Sequence, residues 1–348
     1  MKKNAAVCIR LLLFASMLAN ANLLMAQYNA QFSDEDFLQK ESVVVLESLV
    51  DKVRDTIKRT FNVSDGVLLS VSNKFGDVVI VEGRTSTIDV EVNIECSAWT
   101  EKKAKRLRKG IDIIMESSEN QVDITTDVSN DLFKSSININ GSKSYEINYL
   151  ITVPRDTRFK IRNKFGDVRM ENSNVSLDME VAYGDVVIDN LGGRNNNMEL
   201  EFCDLKIKNV ESLDVDLSYT DTHIDNMVNV HVGEAAFSDI KIDNLTNSFR
   251  TDNTEYCDVK IKNVAGTFEL IDVLTSFGDV DISLEGGSAV SYELKTSFGE
   301  INVDSEHDKK IDKDKNAEYF KAVDGAGEPK GRIFVSTSFG DVKINRKK

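Results

Sequence analysis

Nine acids occupy one recurring place in the chain, each two residues after an aromatic: Asp167, Asp185, Asp204, Asp221, Asp239, Asp258, Asp279, Glu300 and Asp341. Carboxylates in a row could ligate calcium, or two of them could serve as general acid and base on a polysaccharide. An active site, however, is a local exception to a repeat, and this row is uniform. The places two residues further on are largely basic (Arg169, Lys206, Lys241, Lys260, Lys343). Neighbouring acids about 4.8 Å apart in water repel by under about 1 kcal/mol, which such partners offset. The glycine-rich calcium repeat GGxGxDx is absent. The acids therefore read as turn caps that accept hydrogen bonds from backbone amides.

Other reactive side chains are sparse. His223, His231 and His307 accompany no metal-ligand spacing and no nucleophile motif, and read as surface residues. Lys102, Lys103, Lys105, Arg106, Arg108 and Lys109 could contact an anionic lipid or glycan. The simpler reading is the solvated face of a helix anchored by Ala104 and Leu107. Trp99 is the only Trp, which gives little support to an aromatic sugar platform. The expectation is no catalytic residue, no metal and no cofactor.

What must position these groups is a repeat. The aromatics Phe165, Tyr183, Phe202, Tyr219, Phe237, Tyr256, Phe277, Phe298 and Phe339 follow one another at 18, 19, 17, 18, 19, 21, 21 and 41 residues. Such a period signals stacked coils. After each aromatic, apolar residues alternate with polar ones, as in Val186/Ile188, Val259/Ile261 and Val280/Ile282. A second alternating run precedes it, as in Leu177-Met179-Val181 and Leu213-Val215-Leu217. Each coil thus holds two short strands with one buried face. The expected fold is all-β: a right-handed parallel β-helix, or β-solenoid, with coils of 18–21 residues.

A third row, Asn172, Asn190, Asn209, Asn226, Asn244 and Asn263, stands five residues after the acids. Asn tolerates a left-handed corner, and stacked Asn side chains can bond from coil to coil. The aromatic is expected to pack inward, with Gly or another small residue allowing the corner. Cys203 and Cys257 take that small-residue place three coils apart, roughly 14 Å at strand spacing, beyond disulfide reach. Both are expected to be unpaired and shielded.

Outside the repeat, residues 1–26 have the pattern of a signal peptide: Lys2, Lys3 and Arg10, then Leu11, Leu12, Leu13 and Phe14, then small residues up to Ala21 and Ala26. Its removal moves the formal charge from −15 to −18. An exported chain this acidic is a poor partner for nucleic acid, and no later stretch is apolar enough to span a membrane. Over 27–64 the spacing of Leu46, Leu49, Val50, Val53 and Ile57 suggests a helix from about Glu41 to Thr60, although Val43-Val44-Val45 would equally suit a strand. The part from 65 to 160 reads as β-rich, with strands at Ile88–Ile94, Gln121–Thr126 and Tyr145–Val153 and one helix from Thr100 to about Lys109. It is expected to cap the open end of the coils at 161–348, in which 305–331 reads as an inserted charged loop.

Three stretches, LLSVSNKFGDVVI (Leu68–Ile80), WTEKKAKRL (Trp99–Leu107) and YEINYLITVPRDTRFKIRNKFGDV (Tyr145–Val168), together with the later coils, resemble the bacterial putative-adhesin family of exported β-solenoid proteins. The resemblance runs from about Val63 to the C-terminus. It implies a right-handed parallel β-helix on an exported envelope protein, periplasmic or at the surface, with no established enzymatic activity and no catalytic residues to carry over. The function expected is a binding scaffold facing a protein or glycan partner of the envelope or a host surface. A structural role through self-association, or a polysaccharide-active enzyme, are the alternatives.

Overall fold

The computed structural model describes residues 50–129, 143–286, 289–304, 312–325 and 327–347. The leader at 1–26 and the segment up to Leu49 lie outside the described residues. Among the described residues of 52–348 the chain is all-β with one helix.

One coil shows how the alternation folds. Strand β10 (Ser176–Ala182) leads to a corner at Tyr183–Asp185, and β11 (Val186–Leu191) leads away from it. Leu177, Met179, Val181, Val186, Ile188 and Leu191 all point inward and are almost solvent-free. Burying each such aliphatic side chain contributes about 1.5–3 kcal/mol. Neighbouring coils pair in parallel on both sides of the corner, Leu177 with Phe159, Ser176 with Asn195, and Val186 with Leu205.

Two parallel ladders result. The first joins the strands that enter the corners: β2 (Leu68–Lys74), β8 (Arg158–Lys164), β10, then segments of β12 (Asn195–Ala236) and β13 (Ile240–Glu255), β15 (Leu270–Ser276), β21 (Gly331–Ser338) and β17 (Val290–Ser297). The second joins those that leave: β3 (Val78–Glu82), β9 (Val168–Ser173), β11, β12, β13, β14 (Val259–Val264), β16 (Val280–Leu284), β22 (Val342–Arg346) and β18 (Ile301–Val303).

The segment between β3 and β8 caps one end. It contains β4 (Thr87–Ala98), α1 (Glu101–Arg108), β5 (Ile111–Ser117), β6 (Gln121–Val128) and β7 (Lys143–Val153). β6 extends the first ladder beside β2, and β7 extends the second beside β3. Thr100 caps α1 by accepting from the Lys103 amide, Ala104 and Leu107 are its buried residues, and Lys102, Lys103, Lys105 and Arg106 are exposed.

Two sequence expectations fail here, and the stacking order adds a further finding. Residues 51–62 form a strand, β1 (Asp51–Asn62), paired to β4, not the end of a helix. Val53, Ile57 and Phe61 recur every four residues, a spacing that satisfies a strand face as well as a helix face. The outward side settles the choice: Arg54 meets Glu95 and Lys58 meets Glu91, both at 2.8 Å, while Thr56 donates to Asn93. Such cross-strand pairs stabilise a sheet. Next, the expected surface loop at 305–331 contains a hairpin, β19 (Asp312–Asp314) and β20 (Ala317–Asp324), whose second strand runs antiparallel to β17 and buries Phe320. Finally, the coils are not stacked in chain order. The last coil, β21–β22, lies between the coil of β15–β16 and that of β17–β18.

Candidate functional site

Ten aromatic rings form a continuous ladder at the corners. Phe75, Phe165, Tyr183, Phe202, Tyr219, Phe237, Tyr256, Phe277, Phe339 and Phe298 stack in that order, with centroids 4.7–5.2 Å apart and planes within 13°. The expectation that these rings pack inward is overturned: seven of them are more than 40% exposed. The reason is the backbone. Every ring residue sits at φ between +51° and +66°, the left-handed region, which turns its side chain out of the strand alternation. That conformation costs an L-residue about 1–2 kcal/mol. Stacking against neighbours returns about 0.5–1.5 kcal/mol per ring pair, which largely offsets the strain once the coils are stacked.

The small residue after the ring has a different task from the one the sequence suggested. It does not carry the corner; it permits close approach. A Cβ on Gly166 would lie 2.1 Å from the Gly76 carbonyl oxygen, and one on Gly184 would lie 2.0 Å from that of Gly166. Thr or Asn two residues before the ring then caps these carbonyls: Asn163 donates to Gly166, Thr296 to Gly340, and Thr337 to Gly278. Where Cys203, Thr220, Ser238 or Cys257 replaces Gly, the side chain donates to the carbonyl two residues upstream instead. Cys96, Cys203 and Cys257 are free and buried, and burial raises each thiol, that of Cys96 to about 11.

The acids line one side of the ring ladder. The Asp185 amide donates to Asp167 Oδ1 (3.0 Å), and that of Asp204 to Asp185 (3.2 Å). Asp239, Asp258, Asp279 and Asp341 donate in the same way to Asp221, Asp239, Asp258 and Asp279, and Glu300 donates to Asp341. No such bond joins Asp204 to Asp221, across the shortest interval of the repeat. One oxygen of each bonded acid thus serves the next coil. The Asn row makes its own ladder, each Nδ2 donating to the Oδ1 of the preceding Asn at 2.8–3.0 Å from Asn190 back to Asn172 through Asn263 back to Asn244. These Asn residues have negative φ, so they do not make a left-handed corner.

Beside the ladder, the outer face of the first sheet forms a groove of about 360 Å³ bordered by Arg162, Glu180, Glu199, Glu201, Asp216 and Glu234. Arg162 pairs there with Asp178 and Glu180 at 3.1 and 2.8 Å. His231 spans Asp214 and Asp252 at 3.0 Å each on the same sheet. On the other sheet, His223 converges with Asp225 and Asp243, a grouping the sequence reading missed. The signal lay in the repeat: aligning the coils sets Asp225 opposite Asp243.

The architecture defines an all-β, β-solenoid-like protein with an aromatic and acidic edge. The Toastrack DUF4097 family profile matches residues 68–345, and the chain belongs to that family. Among solved structures, it is similar to a putative adhesin from Bacteroides fragilis at 12% identity and TM-score 0.34, covering 83% of this chain and 97% of that one. It is also similar to a putative cell adhesion protein from Clostridium sporogenes (10%, TM-score 0.23, 85% and 100%) and a putative lipid binding protein from Parabacteroides distasonis (10%, TM-score 0.29, 84% and 97%). No curated protein matches the chain in sequence. No helix among the described residues is long and apolar enough to cross a membrane.

Proposed function

We propose that this chain is a non-enzymatic, exported envelope protein of adhesin type, a right-handed β-solenoid with coils of 18–21 residues that presents its repeated edge to a protein partner. The ten-ring ladder, seven rings of which are exposed, carries this reading. Exposed aromatics in one contiguous row are the kind of apolar surface that marks an interaction site. A glycan partner fits less well. Sugars stack on ring faces, and here each inner ring has both faces covered by its neighbours. What the row offers is ring edges, which carry positive partial charge, beside a line of carboxylates. A protein surface bearing apolar and basic side chains complements both.

Assembly by end-to-end pairing of sheets, the alternative, has less support. The outer strands among the described residues are β1, with Lys52, Arg54, Lys58 and Arg59, and β5, with Asp112 and Glu116 beside the exposed Ile114, at one end, and the three-residue β18 and β19 at the other. Charge and brevity are devices that discourage edge pairing. The test is capture from envelope extract by the wild-type chain and by a Phe237→Ser/Tyr256→Ser variant. A species held by the first and lost by the second supports the ridge. Recovery of nothing above control, or equal recovery by both, overturns it. Protease shaving of intact cells, with a periplasmic control, then separates surface from periplasm.

A further inference from the structure

On the outer face of the second sheet, three side chains from two adjacent coils point at one spot. His223 Nε2 lies 3.6 Å from Asp225 Oδ1 and 3.3 Å from Asp243 Oδ1. The ligand atoms of all three lie within 4.8 Å of one another, the one such group among the described residues. The Nε2 atom has no solvent-accessible surface and makes no in-line hydrogen bond, although the His223 ring as a whole is about one-third exposed. The two aspartates face each other across the paired strands, between the couples Ile224–Ile242 and Asn226–Asn244. The adjacent Asn244–Asn226 hydrogen bond, 3.0 Å, fixes that register.

We propose that His223, Asp225 and Asp243 form a binding site for a divalent transition-metal ion of the zinc class. The geometry is the first argument. Two ligands bonded at 2.0–2.1 Å to a tetrahedral zinc stand roughly 3.3–3.4 Å apart, and the imidazole nitrogen already stands 3.3 and 3.6 Å from the two carboxylate oxygens. The donor set is the second. One imidazole with two carboxylates suits zinc and its neighbours, whereas calcium takes oxygen ligands alone. Water would complete the coordination. The third argument is rigidity: the ligands come from hydrogen-bonded strands and not from a loop, so little ordering is needed on binding.

Two lysines oppose the ion: Lys241 stands opposite His223 in the strand pairing and reaches Lys262, which lies nearer the carboxylates. Lys262, from the next coil, places Nζ 2.7 Å from Asp243 Oδ1 and must swing away when metal enters. Its side chain is 39% exposed and can do so. The site is therefore moderate in affinity as built, and Lys262 sets its threshold.

Titration of the wild-type chain with zinc chloride, followed by calorimetry, is expected to show one saturable ion per chain. His223→Gln and Asp225→Asn should abolish that binding, and His231→Gln, on the other sheet, should leave it intact. Lys262→Gln should tighten it about tenfold, the effect of removing one positive charge about 5 Å from a dication in a water-like medium. Equal calcium should not compete. Absence of saturable zinc binding in both the wild type and Lys262→Gln, unchanged binding in His223→Gln, or displacement by equal calcium would each overturn the assignment.

Discussion

Substituting Gly184 by Ala tests whether close approach at the corners holds the coils together. The added Cβ would sit 2.0 Å from the Gly166 carbonyl oxygen, with further backbone atoms of Gly166 at 2.5 and 3.1 Å. Ordinary contact begins near 3.4 Å, so these coils must part locally by about 1 Å. Three hydrogen bonds cross the same gap: Phe165 amide to Ala182 carbonyl (3.0 Å), Val168 amide to Asp185 carbonyl (2.8 Å) and Asp185 amide to Asp167 Oδ1 (3.0 Å). Each is worth about 0.5–1.5 kcal/mol net, and overpacking of a rigid site costs about 1–3 kcal/mol by itself. Because opening the gap relieves the overlap by weakening the bonds, the two costs share one displacement, and the expected loss is about 3 kcal/mol. Gly192 supplies the internal control. A Cβ placed there would meet nothing nearer than 3.9 Å, so Gly192→Ala should stay within about 0.5 kcal/mol of wild type. Urea unfolding followed by circular dichroism reads both variants. Equal midpoints for the two would refute the argument that glycine serves approach between coils.

Three further outcomes follow from the same contacts. Asn209→Ala removes one ladder bond to Asn190 and one from Asn226, both solvent-exposed, and should lower urea stability by about 1 kcal/mol; no change would make the ladder ornamental. The buried Tyr149 hydroxyl donates to Thr126, which donates to Asn73, and burial pushes the phenol from 10.0 up to about 12. Its neutral form therefore contributes stability that is complete below pH 10 and lost as pH rises through 12, about 2–3 kcal/mol in all; Tyr149→Phe should flatten stability over that interval while costing about 1 kcal/mol at pH 8, and an unchanged alkaline slope would contradict this. Asp324 is fully buried and pairs with Arg346 at 3.1 Å; Asp324→Ala breaks that buried ion pair and should cost about 3 kcal/mol, with faster amide exchange in β20 and β22 as the local readout.

The strands of the coils were legible because a period of two survives in Val186/Ile188 or Val280/Ile282 whatever the tertiary context, and the aromatic interval fixed where each coil repeats. The direction of the rings was not, because a repeated aromatic has the composition of a core row. Yet a signal existed. Val181 and Val186 both face inward but stand five apart, an odd number that strict alternation forbids, so one residue between them must reverse the backbone. Of the candidates, glycine is the natural choice for φ > 0, and here that instinct misleads: in the copies that carry it, glycine leaves space for the neighbouring coil, and the aromatic takes the strain because stacking rewards it. β1 was lost for a related reason. Val53, Ile57 and Phe61 fit both periods, and only the polar partners Arg54, Thr56 and Lys58, meaningless without knowledge of Glu95, Asn93 and Glu91, distinguish them.

The order of the last coils could not be read from the repeat at all. TSFG occurs at Thr275, Thr296 and Thr337, so the three copies offer interchangeable corners and the same strand pattern. What breaks the tie is the hairpin. β20 runs antiparallel along β17 over eight paired residues, Val290 with Asp324 through Ser297 with Ala317, and β19 covers β20 in turn. That side of β17 is therefore closed, and the chain that emerges afterwards finds a place only on its other side, where β21 pairs in parallel with β17 and with β15 at once. The Arg346–Asp324 ion pair then ties the inserted coil to the hairpin that excluded it from the end. A solenoid grown strictly in chain order would finish on an open parallel edge. By building the cap before the final coil, this chain ends its first ladder on three charged residues, Asp312, Lys313 and Asp314, instead.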